Sequence, residues 1–455
     1  MSTLPLLGRV SNLGRLPIHG RPDYWTTLGR IQSGMVLDFT SATISDTLAA
    51  RGFTFTRSGA TATRVNSSGV LETVAANTLR IDHDPTTLAC LGGLFEEAST
   101  NAIRNSTMVG AAAGSPGTLP TNWGSPIYGP AGISFEVVGT GTESGIAYID
   151  IRAYGTPSAT DFVRISMETN TGVAAATGQT WCVSAYFALV GGSFANTTGA
   201  GLGLLERTSG GAYVADGHTP ITVTSGALAG KRYTYARTLA GGATTGAVVP
   251  QVLIRGVTSG NPIDFTIRIG APQLEQKAFA TSYIATSGTA GTRQSDALMT
   301  TALAAMGYSA TAGTVVVRSR ALGFSAGSSP APYMFGVGSL SSNELSVYFD
   351  GSARKTVGEA RSGGAVQMSM SAAEVIAAGA SYISALAWAE NDAALVVNGG
   401  TPVTDTSIVL PVGIDRVSIG GRQARGQTGV GSQIISRLDY YNRRLSNAEL
   451  QSITT

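Results

Sequence analysis

Residues 53–106 read FTFTRSGATATRVNSSGVLETVAANTLRIDHDPTTLACLGGLFEEASTNAIRNS, and this stretch decides the kind of fold the chain adopts. Short apolar and β-branched runs alternate with Ser-Ser-Gly, Asp-Pro and Gly-Gly, the punctuation of four or five short strands joined by tight turns. Val65-Asn66-Ser67-Ser68-Gly69-Val70 is the clearest hairpin, because Asn66 and Gly69 tolerate the positive φ that such turns require. Leu91 to Phe95 reads as a buried strand that ends at the carboxylate pair Glu96-Glu97. Asp82-His83-Asp84 invites a metal reading, but on a strand the two aspartates share one face and His83 points the other way. A solvated strand end before Pro85 is expected instead, and no metal.

Composition extends this reading to the whole chain. Of 455 residues 59 are glycine, yet 43% are hydrophobic, an apolar content that disordered chains lack. Many short strands with many turns are expected, in an all-β protein of two to four domains. The net charge of +2 gives no sign of a nucleic-acid partner, and no basic patch interleaved with aromatics occurs. Cys90 and Cys182, each among apolar neighbours, read as buried reduced thiols. Met1 to Arg30 holds no apolar run of signal-peptide length, and the most apolar window, Val375 to Trp388, is too short for a membrane span. Synthesis in the cytoplasm without membrane insertion is the expectation.

The residues Thr56, Arg57, Ala62, Thr63, Gly69, Leu71, Asn77, Arg80, Gly93, Leu94, Glu96, Glu97, Ala98, Thr100 and Asn101 carry a resemblance. In this order they are similar to a segment of bacteriophage head-spike and tail-fibre proteins. There a Thr/Arg-rich strand leads to a hairpin, an Asn-x-x-Arg strand and a Gly-Leu-x-x-Glu-Glu-Ala-x-Thr-Asn signature that introduces a carbohydrate-binding-type jelly roll. Phe95 stands where Val or Ile is usual, and Gly92 is an extra glycine. Asn105-Ser106 with Pro120-Thr121-Asn122-Trp123 resembles the opening of that jelly roll, and Gln273-Leu274-Glu275 with Phe279 and Thr281-Ser282-Tyr283-Ile284 resembles its close. Between them, alternating runs recur at Ile133–Val138, Ile146–Ala153, Asp161–Met167, Thr180–Leu189, Gly203–Arg207, Lys231–Thr238, Val248–Ile254 and Asp264–Ile269. That number and spacing suits two antiparallel sheets packed face to face. Farther on, Val397-Asn398-Gly399, Ile419-Gly420-Gly421 and Tyr441-Asn442-Arg443-Arg444-Leu445-Ser446 resemble closing pieces of the concanavalin A/laminin-G-like sandwich. Strands are expected there at Thr314–Arg318, Glu344–Asp350, Arg416–Gly420 and Gln433–Tyr441, with a hairpin of Ile383–Trp388 and Ala394–Asn398 around Asn391-Asp392. Ser446 and Glu449 have the spacing of a capping box for a terminal helix that lids the sandwich.

The expected architecture is therefore tandem antiparallel β-sandwiches after an extended arm. The arm spans residues 1–35, a short-stranded signature region 36–100, the jelly roll 101–290 and the concanavalin/laminin-G-like sandwich 291–455. Met35 to Phe39 reads as a strand, followed by a helix capped by Ser45 and closed at Gly52. The arm carries Arg9, Arg15, Arg21, Tyr24 and Trp25, with Pro5, Pro17 and Pro22 against long helices; it reads either as a loose terminus or as a docking segment lying along a partner.

The three histidines, His19, His83 and His218, lie in unrelated segments, no serine sits in a nucleophile elbow, and no glycine loop is placed to cradle phosphate. Adjacent strand residues face opposite sides, so Glu96 and Glu97 cannot flank one glycosidic bond, and a structural role at the junction is expected of them. Neither a catalytic residue nor a cofactor is expected. Sugars present apolar faces to aromatic rings and hydroxyls to short polar side chains. Trp123, Tyr128, Tyr148, Tyr213 and Tyr333 are the candidates for such contacts, Tyr128 and Tyr213 the better ones because they adjoin Gly and Asp; Trp181 and Trp388 read as core. The resemblance implies a virion protein, a spike or fibre exposed on the particle. It would be docked to other virion proteins by its arm, assembled as a homo-oligomer, trimer or pentamer, and would adhere weakly and multivalently to bacterial surface polysaccharide. Two other classes stay open: a surface-polysaccharide hydrolase or lyase whose carboxylates are dispersed along the sequence, and a purely structural decoration or connector protein.

Overall fold

The alternation becomes strand pairs throughout the computed structural model, which describes residues 34–59, 62–323, 333–340, 342–422 and 431–455. The α-helices among these residues are two of seven residues each, Ile44–Ala50 and Asn447–Ile453, so the protein is all-β, built of antiparallel sheets. No helix among the described residues is long and apolar enough to cross a membrane. Arg9, Arg15, Arg21, Tyr24 and Trp25 lie outside the described residues.

One sandwich is built from residues between 133 and 275. Its first sheet runs in the order Asp161–Ser166, Ala247–Val257, Gly199–Arg207, Tyr213–Ile221, with Val173–Ala174 also paired to Ala247–Val257. Its second runs Arg232–Thr238, Thr180–Ser193, Ile263–Glu275, Ile146–Gly155, Ile133–Glu143. Alternate residues face inward, so Val163, Ile165, Leu202, Leu204, Val252 and Ile254 of one sheet meet Ile149, Val183, Phe187 and Ile267 of the other in one core. The strand Tyr213–Ile221 was not foreseen. Its Asp-Gly-His-Thr-Pro run breaks the apolar alternation, and a proline is tolerated because the strand is an edge of its sheet.

The second sandwich corrects the expected domain order. Residues 36–100 do not form a region of their own. Met35–Asp38 and Cys90–Phe95 both pair with Gln433–Tyr441, Arg80–His83 pairs with Cys90–Phe95, and Thr54–Thr56 pairs with Ala297–Thr300. These strands of three to six residues are too short to enclose a core alone. They extend the two sheets whose remaining strands lie after residue 290. The larger sheet runs Val403–Asp405, Asp392–Val397, Ser381–Ala389, Ala312–Ala321, Gln433–Tyr441, Cys90–Phe95, Arg80–His83. The other runs Thr54–Thr56, Ala297–Thr300, Arg416–Ile419, Tyr333–Gly338, Glu344–Asp350, Lys355–Ser362, Ala365–Ser371. Leu37, Phe39, Phe95 and Phe53 join Val315, Trp388, Phe335 and Leu438 in a shared core. The chain thus begins this sandwich, leaves it, builds the 133–275 sandwich, and returns to finish it.

The exit and return are held side by side. Ser99–Asn101 pairs antiparallel with Gly291–Arg293. Asn101 lies at the crossing: its Nδ2 donates to Pro272 O at 3.2 Å and Ile284 O at 2.9 Å, and its Oδ1 accepts from Ile103 N at 3.1 Å and Leu274 N at 3.0 Å. Glu275 Oε2 accepts from Thr281 N at 2.9 Å, and Gln273 Oε1 accepts from Ile284 N at 2.7 Å. Behind the crossing Arg57, Arg80 and Arg293 are fully buried with Glu96 and Asp296. Arg80 spans the two carboxylates, at 2.7 Å from Glu96 Oε2 and 2.5 Å from Asp296 Oδ2; Arg57 reaches Asp296 at 3.0 Å and Arg293 reaches Glu96 at 3.2 Å. Glu97, its neighbour, pairs with Lys277 at 2.9 Å.

Local details refine the expectations. In the 62–74 hairpin Gly69 takes φ 74°, but Asn66 does not adopt positive φ; its side-chain Oδ1 accepts from Ser68 N at 3.0 Å and Val70 N at 3.1 Å. Gly92 has φ 123°, and a Cβ there would stand 2.5 Å from Ile435 O, so only glycine lets this strand lie against its neighbour. The N-cap position of the first helix is Thr43, not Ser45, and its side chain makes no capping hydrogen bond. Asp82 is half-buried near the strand end, where it accepts from Val65 N at 2.7 Å, and burial pushes its carboxyl up. Both cysteines are free, but Cys90 is only half-buried. At the far end Ser446 and Glu449 form the capping box, and Leu450 and Ile453 bury one side of the helix.

Candidate functional site

The outer face of the Asp161–Ser166, Ala247–Val257, Gly199–Arg207, Tyr213–Ile221 sheet gathers groups suited to binding. Directly paired residues share a face, and Gly201 pairs with Leu253 and Pro220, Gly203 with Gln251 and His218, and Leu205 with Val249 and Asp216. Leu202 and Leu204 point into the core, so the two glycines leave the outer face bare at its middle. His218 lies over both of them, and Arg255 Nη1 stands 2.6 Å from His218 Nε2. Burial and the Arg255 charge hold the imidazole below its ordinary pKa, so it is neutral at pH 7. Gln251 is buried beneath this surface with no partner for Oε1 among the described residues.

Two aromatic rings flank this floor. Tyr128 pairs through its backbone with Arg164, extending the sheet at its Asp161–Ser166 edge. Its ring is 41% exposed, and its hydroxyl donates to Asp161 Oδ2 at 2.7 Å, which together with partial burial raises the phenol pKa. Phe162 packs at 5.0 Å and the Arg164 guanidinium lies 5.0 Å from the Tyr128 ring centroid. Tyr213, at the opposite edge, is 66% exposed and donates to Asp216 Oδ1 at 2.9 Å, which raises its phenol likewise. Arg164 is held below its ordinary pKa by burial and by Arg207, and it also feels Asp216. Arg164, Arg207 and Asp216 therefore converge within electrostatic reach over one surface. The set can do three things: stack a ring face on either tyrosine, donate from guanidinium groups, and accept at Asp161 and Asp216.

The other expected contacts are placed differently. Trp123 is 4% exposed, its Nε1 donating to Asn105 O at 2.9 Å, and Tyr333 is 5% exposed, stacked on Tyr348 at 4.9 Å. Neither presents a ring face: Trp123 fills the core of its sandwich, and Tyr333 is covered by Tyr348 and by the Arg422 guanidinium, 5.0 Å from its ring centroid. Tyr148 belongs to the other sheet, and the Arg268 guanidinium, 3.6 Å from its centroid, covers one side of its ring. Trp181 and Trp388 are buried. The structure brings together Tyr128 and Tyr213, and adds Arg164, Arg207, Asp216 and His218, which sequence reasoning passed over. The Gly201-Leu202-Gly203-Leu204 alternation was a usable signal, since it makes a strand with one apolar side and one empty side. No group of three or more metal-ligating side chains occurs among the described residues.

No protein-family model matches the chain, and no curated protein does. Among solved structures, the chain is similar to the Ruminococcus gnavus IT-sialidase CBM40 bound to alpha2,3 sialyllactose, at 19% identity over 32% of this chain and 84% of that one, with a TM-score of 0.29. It is also similar to a native heptameric SAP-like pentraxin from Limulus polyphemus, at 16% identity over 32% and 70% of the two chains, with a TM-score of 0.26. A mutant Trypanosoma rangeli sialidase matches at 17% identity over 33% and 23%, with a TM-score of 0.26. These partial likenesses carry no argument about a ligand.

Proposed function

We propose that this chain is an adhesin of a bacteriophage-like particle, a spike or fibre that holds bacterial surface polysaccharide without cleaving it. The observation that carries the binding part is the outer sheet face on which Tyr128 and Tyr213 stay exposed, each with its hydroxyl fixed by a carboxylate, on either side of a glycine floor and two converging arginines. Fixed hydroxyls and stacked rings cost little entropy on binding, as a weak, repeated contact requires. The particle part rests on the resemblance of residues 56–101 to virion proteins, and with it come an arm docked to other virion proteins, exposure on the particle surface, and a trimer or pentamer. A single shallow site of this type binds at about −4 kcal/mol, near millimolar. Linked copies that engage one polymer together gain about a hundredfold or more, so the oligomer is what makes adhesion effective.

The test is incubation of the full chain with capsule or lipopolysaccharide of the host, followed by co-sedimentation and by sizing of the glycan. Retention of glycan at unchanged length, reduced at least about tenfold in a Tyr128→Ala, Tyr213→Ala double variant, is expected. Shortened glycan would make the protein a hydrolase or lyase, and absence of retention would make it a connector.

A further inference from the structure

The second sandwich carries a groove of about 550 Å³ that the reading above does not use. It lies on the larger sheet, where Cys90 and Leu91, Ile434 and Ser436, Arg318 and Arg320, and Ser381 and Ile383 come from four neighbouring strands, with Asn398 and Thr455 at its end. The volume falls within the range of small-molecule sites. Its lining is mixed: Leu91, Ile383 and Ile434 are apolar, and Ser381, Ser436, Asn398 and Thr455 carry hydroxyl or amide groups.

Its charge is one-sided. Arg318 and Arg320 are both half-buried, and neither forms an ion pair with a described carboxylate. Arg320 Nε donates to Gly379 O at 2.9 Å, which holds the side chain in place and leaves its remaining N–H groups unassigned. Arg437, paired across the strands with Arg318, is already satisfied by Asp439 at 2.8 Å, so Asp439 does not neutralise Arg318. Asp84, within electrostatic reach of Arg320, is engaged by Thr87 N at 2.7 Å and Thr86 N at 2.9 Å. Two half-buried guanidinium groups that form no ion pair with a described carboxylate, in a groove with an apolar strip, have the chemistry to hold an oxyanion.

We propose that this groove is a second ligand site that takes a saccharide bearing an oxyanion, a carboxylate or a phosphate ester. The oxyanion sits between Arg318 and Arg320, the ring lies along Leu91, Ile383 and Ile434, and its hydroxyls reach Ser381, Ser436 and Asn398. No bond is made or broken. The site is on the other sandwich from Tyr128 and Tyr213, so it stands or falls independently of the face described above.

The experiment is equilibrium binding of glucuronic acid, glucose 6-phosphate and glucose to the full chain, by calorimetry or ligand-observed NMR. One or both acids are expected to bind, and glucose at least tenfold more weakly; the better acid identifies the source of the oxyanion. Arg318→Ala and Arg320→Ala should each weaken acid binding about tenfold or more, and Arg318→Lys should restore part of it. Where a variant does not fold, the native protein supplies the readout: saturating acid should slow alkylation of Cys90, which lines the groove, and glucose should not. Equal binding of glucose and the acids, binding of none of them at millimolar concentration, or acid binding unchanged in both folded arginine variants would overturn the proposal.

Discussion

Replacing Glu96 by Gln should expose how much of the stability is held in the buried charges at the crossing. The carboxylate is fully enclosed. Burial alone pushes it up, but Arg293, Arg80 and the Ser282 hydroxyl and N–H outweigh burial and bring it down to about 2. From an ordinary 4.5 to about 2, at about 1.4 kcal/mol per pH unit, is about 3 kcal/mol of preference for the ionised form in the folded state. An independent route gives a similar figure: removing one partner from a buried ion pair costs about 3–5 kcal/mol, because the remaining charge is left uncompensated. Here the imbalance would be marked, with Arg57, Arg80 and Arg293 facing Asp296 alone. Because the folded pKa is depressed, this contribution is complete above about pH 4.5 and is lost as pH falls toward 2. Guanidinium denaturation at pH 7 should therefore find Glu96→Gln less stable by about 3 kcal/mol. Repeated between pH 5 and pH 2.5, it should find the gap between variant and parent closing. A loss below about 1 kcal/mol at pH 7, or a gap that does not narrow in acid, would refute the assignment of this carboxylate as the charged centre of the junction.

Three further outcomes follow from single contacts. Ser446→Ala removes the cap of the terminal helix and should cost about 1 kcal/mol, read as a shift of the denaturation midpoint. Gly420→Ala places a Cβ against the Phe95 ring at a position of φ 74° and should destabilise by several kcal/mol, or prevent recovery of folded protein, whereas Gly379→Ala, at φ 78° with open space around it, should cost only about 1 kcal/mol. Tyr213→Ala should leave stability within about 0.5 kcal/mol, since the ring is largely exposed, and reduce only polysaccharide retention.

Much of the architecture was legible because strand alternation and turn residues are local signals. The eight runs expected between 133 and 269 each fall on a strand, with only Met167 and Lys231 one residue outside, and the Ser446–Glu449 cap is where its spacing placed it. The path of the chain was not legible. Nothing local distinguishes a short strand that forms its own sheet from one that completes a distant sheet, so Met35–Asp38 and Cys90–Phe95 gave no sign that their partner is Gln433–Tyr441, more than 300 residues away. Arg57, Arg80 and Glu96 stood out as a pattern, but the buried role of Arg293 and Asp296 depends on that long-range closure. At the candidate face both Tyr128 and Tyr213 are exposed, Tyr128 beside Gly129 and Tyr213 three residues before Asp216. Trp123 and Tyr333 misled because a large ring can equally be covered by its own fold, Trp123 in the core and Tyr333 against Tyr348 and Arg422, and only packing decides which.

The central claim is that polysaccharide lies across the sheet face between Tyr128 and Tyr213. Hydrogen exchange of the full chain, with and without saturating host polysaccharide, tests it most directly. The account predicts slowed exchange in residues 124–130, 161–166 and 199–221, and recovery of the polymer at full length. Protection confined to other segments, or a shortened polymer, would contradict it.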